Sequence, residues 1–165
     1  MNKVKIFIDG ACSGNPGIAG IGVVFFDNNG KQIFELSHCL GHATNNIAEY
    51  EALLHALKKA EQMKLNELEI CSDSELLVYQ MSGTYKVKDE KLKILYNKAI
   101  DLLGKFKGVN ILHIKREENA IADKLAKAAT KITTNSEIKG QAADRPACVR
   151  FEAGRKVRVP KSRMP

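Results

Sequence analysis

KVKIFIDGACSGNPG, residues 3–17, places an alternating run directly before a glycine-rich segment. Val4, Ile6 and Ile8 fall on one face and Phe7 and Asp9 on the other, the two-residue period of a half-buried strand. The glycines and proline of Gly10–Gly17 predict a turn. GIGVVFF at Gly20–Phe26 is a second apolar run, DNNG at Asp27–Gly30 is a hairpin signal, and Lys31–Leu40 makes a third strand. Connections this short require the three strands to pair antiparallel.

The order then changes. Ile47–Lys64 has helical periodicity, with Asn45 or Asn46 as its N-cap. Glu67–Cys71 reads as a strand, Ser74–Met81 as a short helix, Asp89–Phe106 as a longer one, Val109–Lys115 as a fifth strand and Ala120–Ile132 as a last helix. A strand–helix–strand passage needs a parallel crossover, so the sheet is mixed and carries helices.

At 165 residues, with 44% hydrophobic and 27% charged, the chain reads as one soluble domain able to bury its own core. MNKVKIFIDG reaches a charge too soon for a secretory signal, so a cytoplasmic protein without membrane contact is expected. Cys12, Cys39, Cys71 and Cys148 form no CxxC or Cys/His cluster and are expected to be reduced thiols. The formal charge of +7 sits mainly in residues 133–165, which hold 8 Lys+Arg against 3 Asp+Glu. The domain is therefore assigned to 1–132 and the rest to a basic tail: a linker, then either a hairpin turning at Ala153-Gly154 that contacts nucleic acid, or a disordered or foreign extension. The body alone makes no strong case for a polyanion partner.

Four acids stand out. Projected at 100° per residue, Glu49 falls inside the apolar arc of its helix, beside Ala56 and Ala60, where an unpaired carboxylate would cost several kcal/mol or protonate. Attraction to the helix N-terminus, worth about 0.3–1 kcal/mol, explains an acid in the first turn but not on this face. Asp9 and Asp73 each follow a strand at its carboxyl end, where open α/β sheets form ligand sites. Taken singly, Asp9 fits a turn and Asp73 a helix cap. Asp123 borders the stripe Ile121, Ala122, Leu125, Ala126, Ala128, Ala129 and Ile132, and an ordinary surface aspartate explains it equally well.

DGACSGNPG, TNNIAEYEAL, CSDSELLV and ENAIADKLAKAA resemble type 1 ribonuclease H in order and spacing over about residues 3–130. The resemblance implies a five-stranded mixed sheet in the order 3-2-1-4-5 with helices on both faces. It implies a metal-dependent endonuclease that hydrolyses the RNA strand of RNA–DNA hybrids to 5′-phosphate and 3′-hydroxyl products; a monomer is expected. Hard carboxylates suit Mg²⁺, with Mn²⁺ as a substitute. By resemblance Asp9 would bridge two ions, Glu49 and Asp73 would bind the first and Asp123 the second. Substrate contacts map to Gly10, Cys12, Asn15, Asn45, Asn46 and Glu75, which would tell ribose from deoxyribose through the 2′-hydroxyl. Thr44 matches a family residue that grips a DNA-strand phosphate. Turn chemistry for Asn15 and capping for Asn45 or Asn46 are competing readings.

Three departures from the family pattern matter. Position 75 is Glu where many members carry Gln. SGTYKVKDEK is all that separates the middle helices, so the basic protrusion of longer members is absent. The loop KREENAIAD lacks the histidine of many members, and Arg116, with Glu117, is the nearest substitute; Arg116 as a fixed cation could orient the scissile phosphate. His38, His42, His55 and His113 read as structural, on strands, turns or helix surfaces. A non-catalytic binder of hybrids or double-stranded RNA is the competing class, and short members of the family sometimes cut RNA duplexes.

Overall fold

In the computed structural model, which describes residues 3–132, five strands and four helices alternate as the sequence predicts. Strands β1 (Lys3–Gly14), β2 (Gly17–Phe26) and β3 (Gln32–Ala43) form the antiparallel meander; α1 (Asn45–Gln62) leads into β4 (Glu67–Ser72). Helices α2 (Glu75–Ser82) and α3 (Glu90–Leu103) precede β5 (Gly108–His113), and a 3-10 turn, Arg116–Asn119, runs into α4 (Ala120–Ile132). The sheet order is β3-β2-β1-β4-β5, with β4 parallel to both β1 and β5. Among the described residues no helix is long and apolar enough to cross a membrane. The proposed tail hairpin at Ala153-Gly154 and Cys148 lie outside the described residues; among the described residues Cys12, Cys39 and Cys71 form no disulfide.

The segment Gly10–Gly17 is not a loop. Both β1 and β2 continue through it, pairing as far as Gly14 opposite Gly17, and the turn shrinks to Asn15-Pro16, joined by a cis peptide bond. Its glycines serve the pairing and its neighbours rather than an open turn. β2 is almost wholly buried because it is covered on both faces, so GIAGIGVVFF shows no alternation of polarity. Val4, Ile6 and Ile8 of β1 and Ile21, Val23 and Phe25 of β2 enter one core with Leu53, Leu57 and Ala60 of α1.

On the opposite face α4 lies against the backbone of β2. A Cβ on Gly22 would meet the Ala122 carbonyl oxygen at 2.1 Å, and one on Gly20 would meet the Ala129 Cβ at 2.5 Å. Contact this close admits only small side chains from the helix. The buried row is therefore Ala122, Ala126 and Ala129 with Thr130, whereas Ile121 and Ala128, expected in the stripe, face outward. Ser37 Oγ donates to the Leu125 carbonyl at 2.7 Å, tying β3 to the same helix.

Helix starts are set by side-chain caps. The cap of α1 is Thr44, not Asn45 or Asn46: Thr44 is extended and its Oγ1 accepts from Ile47 N–H at 3.2 Å, while the Asn45 N–H is taken by Asn15 Oδ1 at 3.0 Å. Ser74 caps α2 and Asp89 caps α3. His55, expected on the helix surface, is buried: its Nδ1 lies 2.9 Å from the Glu51 carbonyl, and its ring centroid is 5.1 Å from that of His38 on β3.

Candidate active site

Two neighbouring residues of β1 use opposite faces of the sheet. Gly10 turns toward α1, where an added Cβ would lie 2.5 Å from the Ala48 carbonyl carbon and 2.6 Å from Glu49 N. This bare contact lets α1 press its Glu49 against the strand. Asp9 pairs with Gly22 and so shares the α4 side, where the Gly22–Ala122 contact brings in the helix that carries Asp123. Parallel pairing of Ile8 with Ser72 brings the end of β4, and with it Asp73, alongside Asp9.

The result is a cluster. One carboxylate oxygen each from Asp9, Glu49 and Asp73 lies within 4.8 Å of the others. Asp123 is outside that close set, but its side chain and charge both act on Asp9. It also pairs with Lys127, one turn on, at 3.1 Å. The bland readings of the other three acids fall away. Asp9 lies inside a strand rather than in a turn, Ser74 and not Asp73 caps α2, and the first turn of α1 holds no acid.

The electrostatics are those of buried acids that repel one another. Burial, then the charge of Asp73, then Asp123 push the Asp9 carboxyl up to about 8, with the Gly10 N–H acting in the opposite sense. Burial also raises the Glu49 carboxyl well above its usual range, followed by the charges of Asp9 and Asp73; Gly10 N–H and the Arg116 guanidinium oppose the rise. Glu49 Oε1 is shut from water and has no hydrogen-bond partner. Orphaned buried carboxylate oxygen and mutual repulsion are what a hard divalent cation relieves, so the donor set fits Mg²⁺ or Mn²⁺.

The other expected positions are dispersed around this centre. Asn15, Thr44 and Asn46 line a cleft of about 620 Å³ with Asp89, Glu90 and Lys91 at the start of α3. Within it, Asn15 Oδ1 and Thr44 Oγ1 are already engaged at the start of α1, so turn and cap chemistry accounts for part of each. Asn45 is exposed next to them. The Cys12 thiol donates to the Ala43 carbonyl at 3.2 Å, and burial and the Glu49 charge push it up. Glu75 is exposed and accepts from Tyr85 OH at 3.1 Å, which ties it to the segment after α2. Arg116 is exposed at the start of the 3-10 turn and its charge reaches Glu49.

Residues 7–129 match the family described as reverse transcriptase-like. A bifunctional protein of Mycobacterium tuberculosis is 39% identical over 135 residues, which is 81% of this chain and 37% of that protein. Ribonuclease HI of Halobacterium salinarum is 37% identical over 127 residues, 77% of this chain and 64% of that protein. The crystal structure of LC11-RNase H1 in complex with an RNA/DNA hybrid superposes with a TM-score of 0.76 at 41% identity, covering 80% of this chain and 99% of that one. The chain belongs to the type 1 ribonuclease H family. It spans 37% and 64% of the two curated relatives. The sheet order and the helices on both faces match the fold that membership implies.

Two contributors to this ribonuclease H-like centre escape a reading of charge and periodicity. Gly22 matters through what it lacks, and its only signal is a glycine within an apolar strand. Asn119 is buried between β1 and Asp73, and its signal is a lone amide ahead of the last helix.

Proposed function

We propose that this chain is a divalent-metal-dependent endonuclease that hydrolyses the RNA strand of RNA–DNA hybrids, leaving 5′-phosphate and 3′-hydroxyl ends. The observation that carries the reading is the convergence of Asp9, Glu49 and Asp73 within 4.8 Å, together with a buried Glu49 Oε1 that has no hydrogen-bond partner. A fold held together by such a cluster alone would be better off with amides there. Asp9, Glu49 and Asp73, with Asp123 beside Asp9, would hold two Mg²⁺ or Mn²⁺ ions. Bound there, the ions would lower the charge cost of attack on a phosphate and make water a better nucleophile.

The chain's own groups have separate tasks. Arg116 supplies a permanent positive charge at the lip of the cluster, suited to aligning the scissile phosphate. In the cleft of Asn15, Thr44 and Asn46, the Thr44 hydroxyl would grip a DNA-strand phosphate, while the Asn15 and Asn46 amides would reach ribose edges. The backbone at Gly10 and Cys12, with Asn45, faces the ribose edges, whose 2′-hydroxyl distinguishes RNA from DNA. The Tyr85 hydroxyl on Glu75 moderates the extra negative charge that departs from the family pattern. The likeness to a relative crystallised on an RNA/DNA hybrid supports this substrate over a purely single-stranded one. A non-catalytic binder is disfavoured because carboxylates beside phosphates weaken binding.

The test is cleavage of labelled RNA–DNA, RNA–RNA and DNA–DNA duplexes in Mg²⁺ and in Mn²⁺. The hybrid is expected to be cut in its RNA strand only. Binding without cleavage in both metals would move the chain to the binder class, and cleavage of RNA–RNA would widen the substrate.

A further inference from the structure

Asn119 closes the 3-10 turn and is 1% exposed. Its Nδ2 donates to the Ile8 carbonyl at 2.9 Å and to Asp73 Oδ2 at 3.3 Å. Both partners only accept, so the amide orientation is fixed; a flipped amide would set Oδ1 against a carbonyl and a carboxylate. Oδ1 is therefore left buried without a partner. An unsatisfied buried acceptor is destabilising, a cost that a small apolar residue at the same place would avoid. The position retains the amide, and what the amide touches is the acid cluster.

The contacts connect three acid-bearing elements. Ile8 immediately precedes Asp9 in β1, Asp73 follows β4, and Asn119 stands one helical turn before Asp123. We propose that Asn119 is a positioning residue: it locks one oxygen of Asp73 and sets the start of α4 against β1, so that the carboxylates face one another in the spacing a divalent cation needs. One N–H holds Asp73 and the other anchors the amide to the Ile8 carbonyl, and neither carries a charge that would compete with the cation. This is the role that outer hydrogen-bond partners play for metal-binding carboxylates, and losing such a partner typically lowers metal affinity or activity by about 10–100-fold.

The inference rests on the proposed metal-dependent cleavage and is tested with a readout that does not depend on it. Mn²⁺ binding to the substrate-free protein is measured by calorimetry for wild type, Asn119→Ala and Asn119→Asp, with thermal unfolding in chelator as a check of folding. Both variants are expected to fold and to bind Mn²⁺ about 10-fold more weakly or worse. Hybrid cleavage should fall through kcat with KM for the hybrid unchanged. A purely structural role would lower the chelator melting temperature and leave Mn²⁺ affinity and kcat intact, which overturns the proposal. Failure of both variants to fold overturns it too, since Asn119 would then be a core residue. If wild type binds Mn²⁺ yet cuts no hybrid, the proposed function falls while the positioning role is still read from Mn²⁺ affinity.

Discussion

A methyl group on Gly10 would lie 2.6 Å from the backbone nitrogen of Glu49, so β1 and α1 touch at the two residues that follow and carry the acids of the cluster. Neither atom there belongs to a flexible side chain, and α1 would have to retreat. Gly10→Ala is expected to cost about 1–3 kcal/mol of stability. Displacing Glu49 by up to an ångström should reduce hybrid cleavage by about 100-fold. Thermal melts and single-turnover cleavage check both, and a variant cutting at the wild-type rate contradicts the assignment of this contact.

The mirror contact is Gly22, where a Cβ would meet the Ala122 carbonyl oxygen at 2.1 Å. Gly22→Ala should push α4 off the sheet and carry Asp123 away from Asp9, with a loss of activity similar to that of Gly10→Ala. Gly30 is the control, since nothing lies within 4 Å of its Cβ position but its φ is +83°. Gly30→Ala should cost about 1 kcal/mol through backbone strain and leave kcat alone.

The acid cluster makes stability depend on pH in a defined sense. In the folded chain Asp9 holds its proton up to about pH 8, against an ordinary value of 3.8. Between those values the folded state binds more protons than the unfolded, so stability is greatest at the acid end and falls as pH rises. The metal-free melting temperature should therefore drop from pH 5 to pH 8. Mg²⁺ should raise it more at pH 8 than at pH 5. Asp9→Asn, which removes the charge, should flatten the slope and raise the metal-free melting temperature at pH 8 by roughly 2–4 °C, about 1 kcal/mol for a chain of this size. Differential scanning calorimetry in chelator and in Mg²⁺ reads all three, and a metal-free melting temperature that rises toward pH 8 would contradict the cluster.

Arg116 is the nearest cation in the loop where the family resemblance implies a histidine, and its field reaches Glu49. Arg116→Ala should lower kcat on the hybrid by about 10-fold, with Arg116→Lys recovering only part because the ammonium lacks the planar fork. Single-turnover cleavage by wild type, Arg116→Ala and Arg116→Lys tests this, and an Arg116→Ala variant that cuts the hybrid at the wild-type rate would contradict it.

What was legible in the sequence follows from which forces leave a pattern. Alternation in KVKIFID and the two-sided burial of β2 gave the meander, and the misplaced charge of Glu49 marked the site before any geometry. The cap of α1 is not decided by residue type, because asparagine and threonine both cap well; the Thr44–Ile47 bond settles it, with the Asn45 N–H taken by Asn15. Ile121 and Ala128 were misread because periodicity counts apolar residues, whereas α4 is rotated by the backbone contact at Gly20 and Gly22 to seat alanines. Asn119 was invisible for a related reason: its importance lies in contacts with β1 and Asp73, at sequence separations of 111 and 46. Local pattern does not record such long-range partners.

The most direct measurement is hybrid cleavage in Mg²⁺ by wild type and Asp9→Asn, with hybrid binding followed in parallel. The account predicts RNA-strand cleavage by wild type to 5′-phosphate products, loss of at least about 1000-fold in Asp9→Asn, and hybrid affinity retained or increased in the variant. Equal cleavage by the two proteins, or no cleavage by a wild type that binds the hybrid, would contradict it.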